Sequence, residues 1–79
     1  MSLYVVSTPI GNLEDITVRA VRVLKEVDLI LCEDTRTSRV LLNHYEIKTS
    51  TTSFHSYSTD AKADALIREL LAGKNFAMI

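Results

Sequence analysis

Short apolar, β-branched runs alternate with segments of helical period along this whole chain, and that alternation limits its fold more than any other feature. Leu3-Tyr4-Val5-Val6 runs into turn formers at Thr8-Pro9-Ile10-Gly11-Asn12, the pattern of a short buried strand followed by a loop. From Asp15 the period changes. Ile16, Ala20, Val23, Leu24 and Val27 recur at helical spacing, with Arg19, Arg22, Lys25 and Glu26 turned away. Asn12, Asp15 and Thr17 are candidate caps for this helix. Asp28-Leu29-Ile30-Leu31-Cys32 reads as a second strand that ends in the charged run Glu33-Asp34-Thr35-Arg36.

A second helix then aligns Val40, Leu41, His44 and Tyr45, with Thr37 or Ser38 near its cap. Ser50 to Phe54 is a weaker third strand, rich in Thr and Ser, leading into His55-Ser56-Tyr57-Ser58. The third helix aligns Ala63, Leu66, Ile67 and Leu70, Gly73 stands at its C′ position, and Asn75 to Ile79 begins a fourth strand. Crossovers of helical length join parallel strands in the right-handed sense. The fold class expected is therefore α/β, with a mostly parallel sheet and alternating helices.

Composition narrows the function classes. The 79 residues suffice for one small domain at most. With 47% apolar and 24% charged residues, and only two Gly and one Pro, the chain is neither disordered nor of low complexity. The net charge of −1 gives no global positive field for nucleic acid, and since a longer chain could carry a basic surface elsewhere, charge does not decide the function class. Cys32 is the single cysteine, which excludes an internal disulfide, and its apolar neighbours predict a buried thiol. Met1-Ser2-Leu3-Tyr4 shows no secretory leader, and no apolar run approaches the roughly 20 residues of a membrane span. A cytoplasmic protein without membrane attachment is expected. The chain stops inside an apolar strand, which would leave backbone and apolar surface to solvent, so it is expected to be a fragment of a longer protein.

In an open parallel sheet, ligands bind outside the carboxyl ends of the strands. Three polar segments fall there: Thr8 to Asn12, Glu33 to Arg36 and His55 to Ser58. Pro9 and Gly11 stand directly before a helix, where backbone amides can receive an anion; equally, they serve the geometry of a strand-to-helix turn. Neither a Walker loop nor a dinucleotide fingerprint is present. Glu33 and Asp34 offer a general base or a hydroxyl acceptor, with Arg36 lowering their pKa or binding phosphate. The competing reading is a cap, with Asp34 or Thr35 closing the next helix and Arg36 pairing locally. His44 and His55 lack cysteine or carboxylate partners at ligand spacing, so no metal is expected. His44 reads as a packed residue of the second helix, and His55, near Tyr57, as a substrate contact. Arg36, Arg39 and Lys48 form a modest basic strip or belong to a solvated face.

The run Thr8-Pro9-Ile10-Gly11-Asn12-Leu13-Glu14-Asp15-Ile16-Thr17, together with Glu33-Asp34-Thr35-Arg36 and Leu41-Leu42-Asn43-His44-Tyr45, resembles the tetrapyrrole (corrin/porphyrin) methylase superfamily. Within it, the likeness is to the cytidine-2′-O-methyltransferases of small-subunit ribosomal RNA. The resemblance spans nearly the whole chain and departs from the pattern at Thr37-Ser38, where many relatives carry His-Thr. It implies a two-domain class III methyltransferase, usually a homodimer, that binds S-adenosyl-L-methionine between its domains and takes ribosomal RNA as partner. Residues 1–79 would then be the amino-terminal α/β domain, incomplete, with a Ser-Asp-Ala-Gly-Thr-Pro-like segment and a second domain to follow. Carried onto this sequence, it implies that Pro9 and Gly11 shape the cofactor wall, with Thr8 and Asn12 at the target cleft. Asp34 or Glu33 would activate or orient the ribose hydroxyl, and Arg36 would hold RNA phosphate. A methylase of a tetrapyrrole or other small molecule, and a non-catalytic α/β partner-binding module, are the alternatives.

Overall fold

Asp34, Thr17 and Thr59 decide where the three helices start. The computed structural model describes residues 2–7, 13–55 and 58–79. Strand β1 (Ser2–Val5) is followed by a single 3₁₀ turn at Leu13–Asp15 and helix α1 (Val18–Glu26). Strand β2 (Leu29–Cys32), helix α2 (Thr35–His44), strand β3 (Thr51–Ser53), helix α3 (Asp60–Leu71) and strand β4 (Asn75–Met78) complete the order. Each helix begins where a side-chain oxygen takes up an amide left over at the helix start: Thr17 accepts from Ala20, Asp34 from Arg36 and Thr59 from Lys62. Of the caps expected for the first helix, Thr17 is the one used; Asp15 closes the preceding 3₁₀ turn. Gly73 follows the C-cap of α3 at φ +103°, a left-handed conformation that costs glycine nothing.

All strand pairs are parallel, in the order β1-β4-β2-β3. The α/β class read from the sequence is the class observed. The last strand in sequence lies between the first and second, pairing Leu3 with Phe76 on one side and Leu29 with Phe76 on the other.

Ile30 and Ala77 are register partners and share one face of the sheet. They form a buried cluster with Leu24 and Val27 of the α1 end, Leu42 of α2, and Ile47. Helices α1 and α2 therefore cover the same face. By alternation Leu31 and Phe76 point to the other face, where both are buried. The right-handed crossover rule sends α3 there, because the β3-to-β4 connection runs back across the sheet.

Two details of the helical stripes differ from the sequence reading. Val40 and His44 are exposed, whereas Leu41 and Leu42 are buried. The buried stripe of α2 is rotated by one residue because Leu42 seats against the sheet. In α3, Ile67 is exposed rather than packed.

Cys32 is buried, as its apolar run implied, and its thiol donates to the Thr52 carbonyl at 3.6 Å. Burial pushes the thiol pKa up, only partly offset by a hydrogen bond with Ser38. Cys32 is thus expected to resist alkylation by iodoacetamide in the folded chain and to react freely in denaturant. A local opening cost of about 3 kcal/mol corresponds to slowing of about a hundredfold. Equal rates in both conditions, read by mass spectrometry, would contradict its closed position.

Candidate active site at the carboxyl edge of the sheet

Because every strand runs the same way, the segments leaving β1, β2 and β3 emerge along one edge. Hydrogen bonds past the strand ends extend the ladder: Val6 N–H donates to Met78 O at 2.9 Å, Ile79 N–H to Leu31 O at 2.9 Å, and Phe54 N–H to Cys32 O at 2.9 Å. With strands about 4.8 Å apart, the edge from β1 to β3 spans about 14 Å, a width suited to a nucleoside-sized ligand. The crossover from β2 runs over one face and that from β3 over the other, and such a divergence between adjacent strands opens a crevice at their carboxyl ends. Glu33 and Asp34 follow β2 and His55 follows β3 at that end of the sheet.

Asp34 owes its position to the end of β2 and the start of α2. Its Oδ1 accepts from the Arg36 amide at 2.9 Å and from Arg36 Nε at 3.4 Å, and its Oδ2 accepts from Arg36 Nη2 at 3.4 Å. The local pairing and capping geometry considered from the sequence is the geometry present. It does not exhaust the carboxylate, whose two oxygens offer about four acceptor positions. The Arg36 side chain, through its hydrogen bonds first and the Arg36 amide second, holds the Asp34 carboxyl below the usual carboxylate range. Arg36 is 87% exposed and Asp34 45% exposed, so this is a surface pair open to a ligand rather than a sealed ion pair. Glu33 lies beside them, exposed.

His55 is half-buried. Its amide donates to Ser58 Oγ at 3.0 Å and its carbonyl accepts from the Ser58 amide at 2.9 Å, which fixes where the backbone leaves β3.

Thr8, Pro9, Gly11 and Asn12 lie outside the described residues. Among the described residues, a cleft of about 260 Å³ lies between the carboxyl half of β1 and the first turns of α1, lined by Tyr4 to Ser7, Thr17, Arg19, Ala20 and Val23. The Thr17 hydroxyl accepts from the Ala20 amide at 3.0 Å, which leaves its own proton available to a ligand. Arg19, read from the sequence as a solvated residue, lines this cleft. The signal that places it there is positional: it occupies the first turn of the helix that follows the first loop.

The basic strip of Arg36, Arg39 and Lys48 does not form. Arg36 is held by Asp34. Arg39 lines a groove with Thr35, Asn43, Thr49 and Thr51, whereas Lys48 lines a different one with Asp28 and Glu46. The chain reverses after α2, which turns Lys48 away. His44 is exposed and meets the Tyr45 ring edge-on, with centroids 4.8 Å apart. Among the described residues no group of three or more His, Cys, Asp or Glu gathers as a metal site, and no helix is long and apolar enough to cross a membrane.

Three relatives carry the name ribosomal RNA small subunit methyltransferase I. The protein from Halalkalibacterium halodurans is 47% identical over 99% of this chain, that from Mycoplasmopsis pulmonis 47% over 98%, and that from Streptococcus pyogenes 49% over 99%. The aligned segments are 27%, 35% and 27% of those proteins' lengths, so the chain spans between a quarter and about a third of the relatives it matches. The profile of the tetrapyrrole (corrin/porphyrin) methylases matches residues 2–79, so its reach takes in all four parallel strands and the polar edge they present, and the chain belongs to that family.

Proposed function

We propose that this chain is the amino-terminal part of an S-adenosyl-L-methionine-dependent methyltransferase acting on the ribose 2′-oxygen of a cytidine in small-subunit ribosomal RNA. The observation that carries this reading is identity of 47–49%, over nearly the whole chain, to relatives named for methylating that RNA.

The cleft beside β1 suits part of such a donor by its chemistry. Arg19 offers a cation for a carboxylate, Ser7 and Thr17 offer hydroxyls, and Val6 and Val23 offer apolar wall. The family resemblance gives Pro9 and Gly11 the role of shaping the cofactor wall, and Thr8 and Asn12 that of meeting the target. When bound, the donor supplies a methyl group activated by a sulfonium sulfur. The protein's own contribution is positional, since aligned reactants gain most of their rate from orientation. Asp34 Oδ2 accepts a hydrogen bond from the ribose hydroxyl and holds its proton as the oxygen reacts, with Glu33 as the neighbouring carboxylate. Because Arg36 keeps Asp34 ionised, Asp34 orients the hydroxyl more strongly than it draws the proton away. The exposed guanidinium of Arg36 reaches a phosphate, and His55 contacts the nucleotide from the end of β3.

The test is methyl transfer by the full-length protein, with radiolabelled donor, to unmethylated small ribosomal subunits and, separately, to a reduced tetrapyrrole. Label is expected in 2′-O-methylcytidine after nuclease digestion. Label on the tetrapyrrole alone would overturn the RNA assignment in favour of a small-molecule methylase.

A further inference from the structure

The chain's near-neutral charge conceals a sorting by layer. Helices α1 and α2, on one face of the sheet, carry Arg19, Arg22, Lys25, Arg36 and Arg39 against Glu26 within the helices, with Asp34 at the α2 cap and Asp28 and Glu46 lining a groove beside Lys25 and Lys48. Helix α3, assigned to the opposite face, carries Lys62 and Arg68 against Asp60, Asp64 and Glu69. The α1–α2 cations are also largely uncommitted. Arg36 pairs with Asp34, but among the described residues Arg19, Arg22, Lys25 and Arg39 have no ion-pair partner. Arg22 and Glu26 stand at the spacing that favours a helical pair and do not form one.

Between α1 and the end of α2 lies a groove of about 460 Å³. It is lined by the apolar Val18 and Val21, the ring of Tyr45, and the charged Arg22, Lys25 and Glu26. The Tyr45 hydroxyl donates to the Leu13 carbonyl at 2.6 Å, which anchors the ring in place, and Val18 is 85% exposed. Apolar and aromatic lining beside two cations, Arg22 and Lys25, matches an unpaired nucleotide, whose base seeks a flat apolar partner while its phosphates seek cations.

We propose that the α1–α2 layer is an RNA-landing surface separate from the reacting edge, in which Arg22, Lys25 and Arg39 neutralise backbone phosphates and the groove at Tyr45 seats an unpaired base. This rests on the reading of the protein as an RNA methyltransferase. Helix α2 begins at Asp34, so a strand held on this layer enters the candidate site at the amino end of that helix. Purely electrostatic contacts of this kind fix register and affinity without reading sequence.

The experiment measures binding of the full-length protein to a fluorescently labelled single-stranded RNA carrying the methylated region, across a range of salt concentrations. Arg22→Ala/Lys25→Ala/Arg39→Ala is compared with wild type and with Lys62→Ala/Arg68→Ala on α3, and donor binding is followed by calorimetry. The triple variant is expected to bind RNA about tenfold or more weakly, with the slope of log affinity against log salt reduced by about 2, since each single-strand phosphate contact contributes about 0.7. Donor affinity and the α3 variant's RNA affinity should match wild type. Wild-type RNA binding with an unaltered triple variant would overturn the landing surface alone, as would equal losses in the α1–α2 and α3 variants. A wild-type protein that binds donor but neither this RNA nor unmethylated small ribosomal subunits would overturn the RNA reading itself, and this inference with it.

Discussion

Replacing Phe76 by Ala is expected to abolish cooperative folding of this chain. Phe76 is fully buried on β4, a strand paired on both edges, so its ring sits over the middle of the sheet between Leu3 and Leu29. Truncating a buried Phe costs about 3–5 kcal/mol, from lost transfer energy and the cavity left behind. A single core of this size rarely supplies more than about 3–5 kcal/mol in total. The cost and the reserve are comparable, so the variant should show no cooperative urea transition by circular dichroism. Leu71→Ala, at a position 72% exposed, should change stability by no more than about 0.5 kcal/mol. A Phe76→Ala chain that unfolds cooperatively within about 1 kcal/mol of wild type would show that the sheet's second face is not closed around this ring.

Asp34→Asn in the full-length protein is expected to lower kcat for methyl transfer by about a hundredfold while leaving donor binding and folding nearly intact. The choice of Asn matters, because Asn caps a helix about as well as Asp, and α2 therefore keeps its start. On the proposed reading, what the variant loses is the negative charge that would align the hydroxyl. Positioned proton acceptors contribute about 10²- to 10⁴-fold, and an acceptor whose pKa is depressed belongs at the low end. The pH dependence has a definite sign. Since the folded-state pKa of Asp34 lies below its ordinary value, any stability from its pairing with Arg36 is fully present above the ordinary carboxylate range. It is lost as pH falls through the depressed value. Asp34→Asn should remove that part of the acid sensitivity, giving up the small contribution of this exposed pair at neutral pH and matching wild type in acid. Unchanged turnover in the variant would assign Asp34 to helix capping alone.

Legibility in the sequence followed the range of the interaction involved. Strand and helix positions were readable because side-chain period and cap chemistry act within one or two turns. Thus Thr17 and Gly73 mark their helix ends by residue type, whereas the cap of α2 is Asp34 and the expected Thr37 and Ser38 lie inside the helix. The phase of α2 was less legible. A stripe at Val40, Leu41, His44 and Tyr45 and one at Leu41, Leu42 and Tyr45 differ by one residue, and only Leu42 meeting the sheet cluster separates them. The edge residues Glu33, Asp34 and His55 could be placed on one side because parallel strands share a direction. The cleft that gathers Ser7, Thr17 and Arg19 could not, because it depends on how α1 lies against β1.

The sequence by itself determined the α/β class, the run of βα units and the kinship with the tetrapyrrole methylases, since all three are written in local pattern and motif. Strand order was decided by tertiary structure alone. Nothing in Asn75 to Met78 says that β4 inserts between β1 and β2; that depends on pairing with residues far away in the chain, which places Phe76 between Leu3 and Leu29. The same long-range step sorted the charges. A net charge of −1 is a sum over the chain and carries no direction. Only the handedness of the crossovers, which sets α1 and α2 together and sends α3 to the other face, divides it into a basic and an acidic layer.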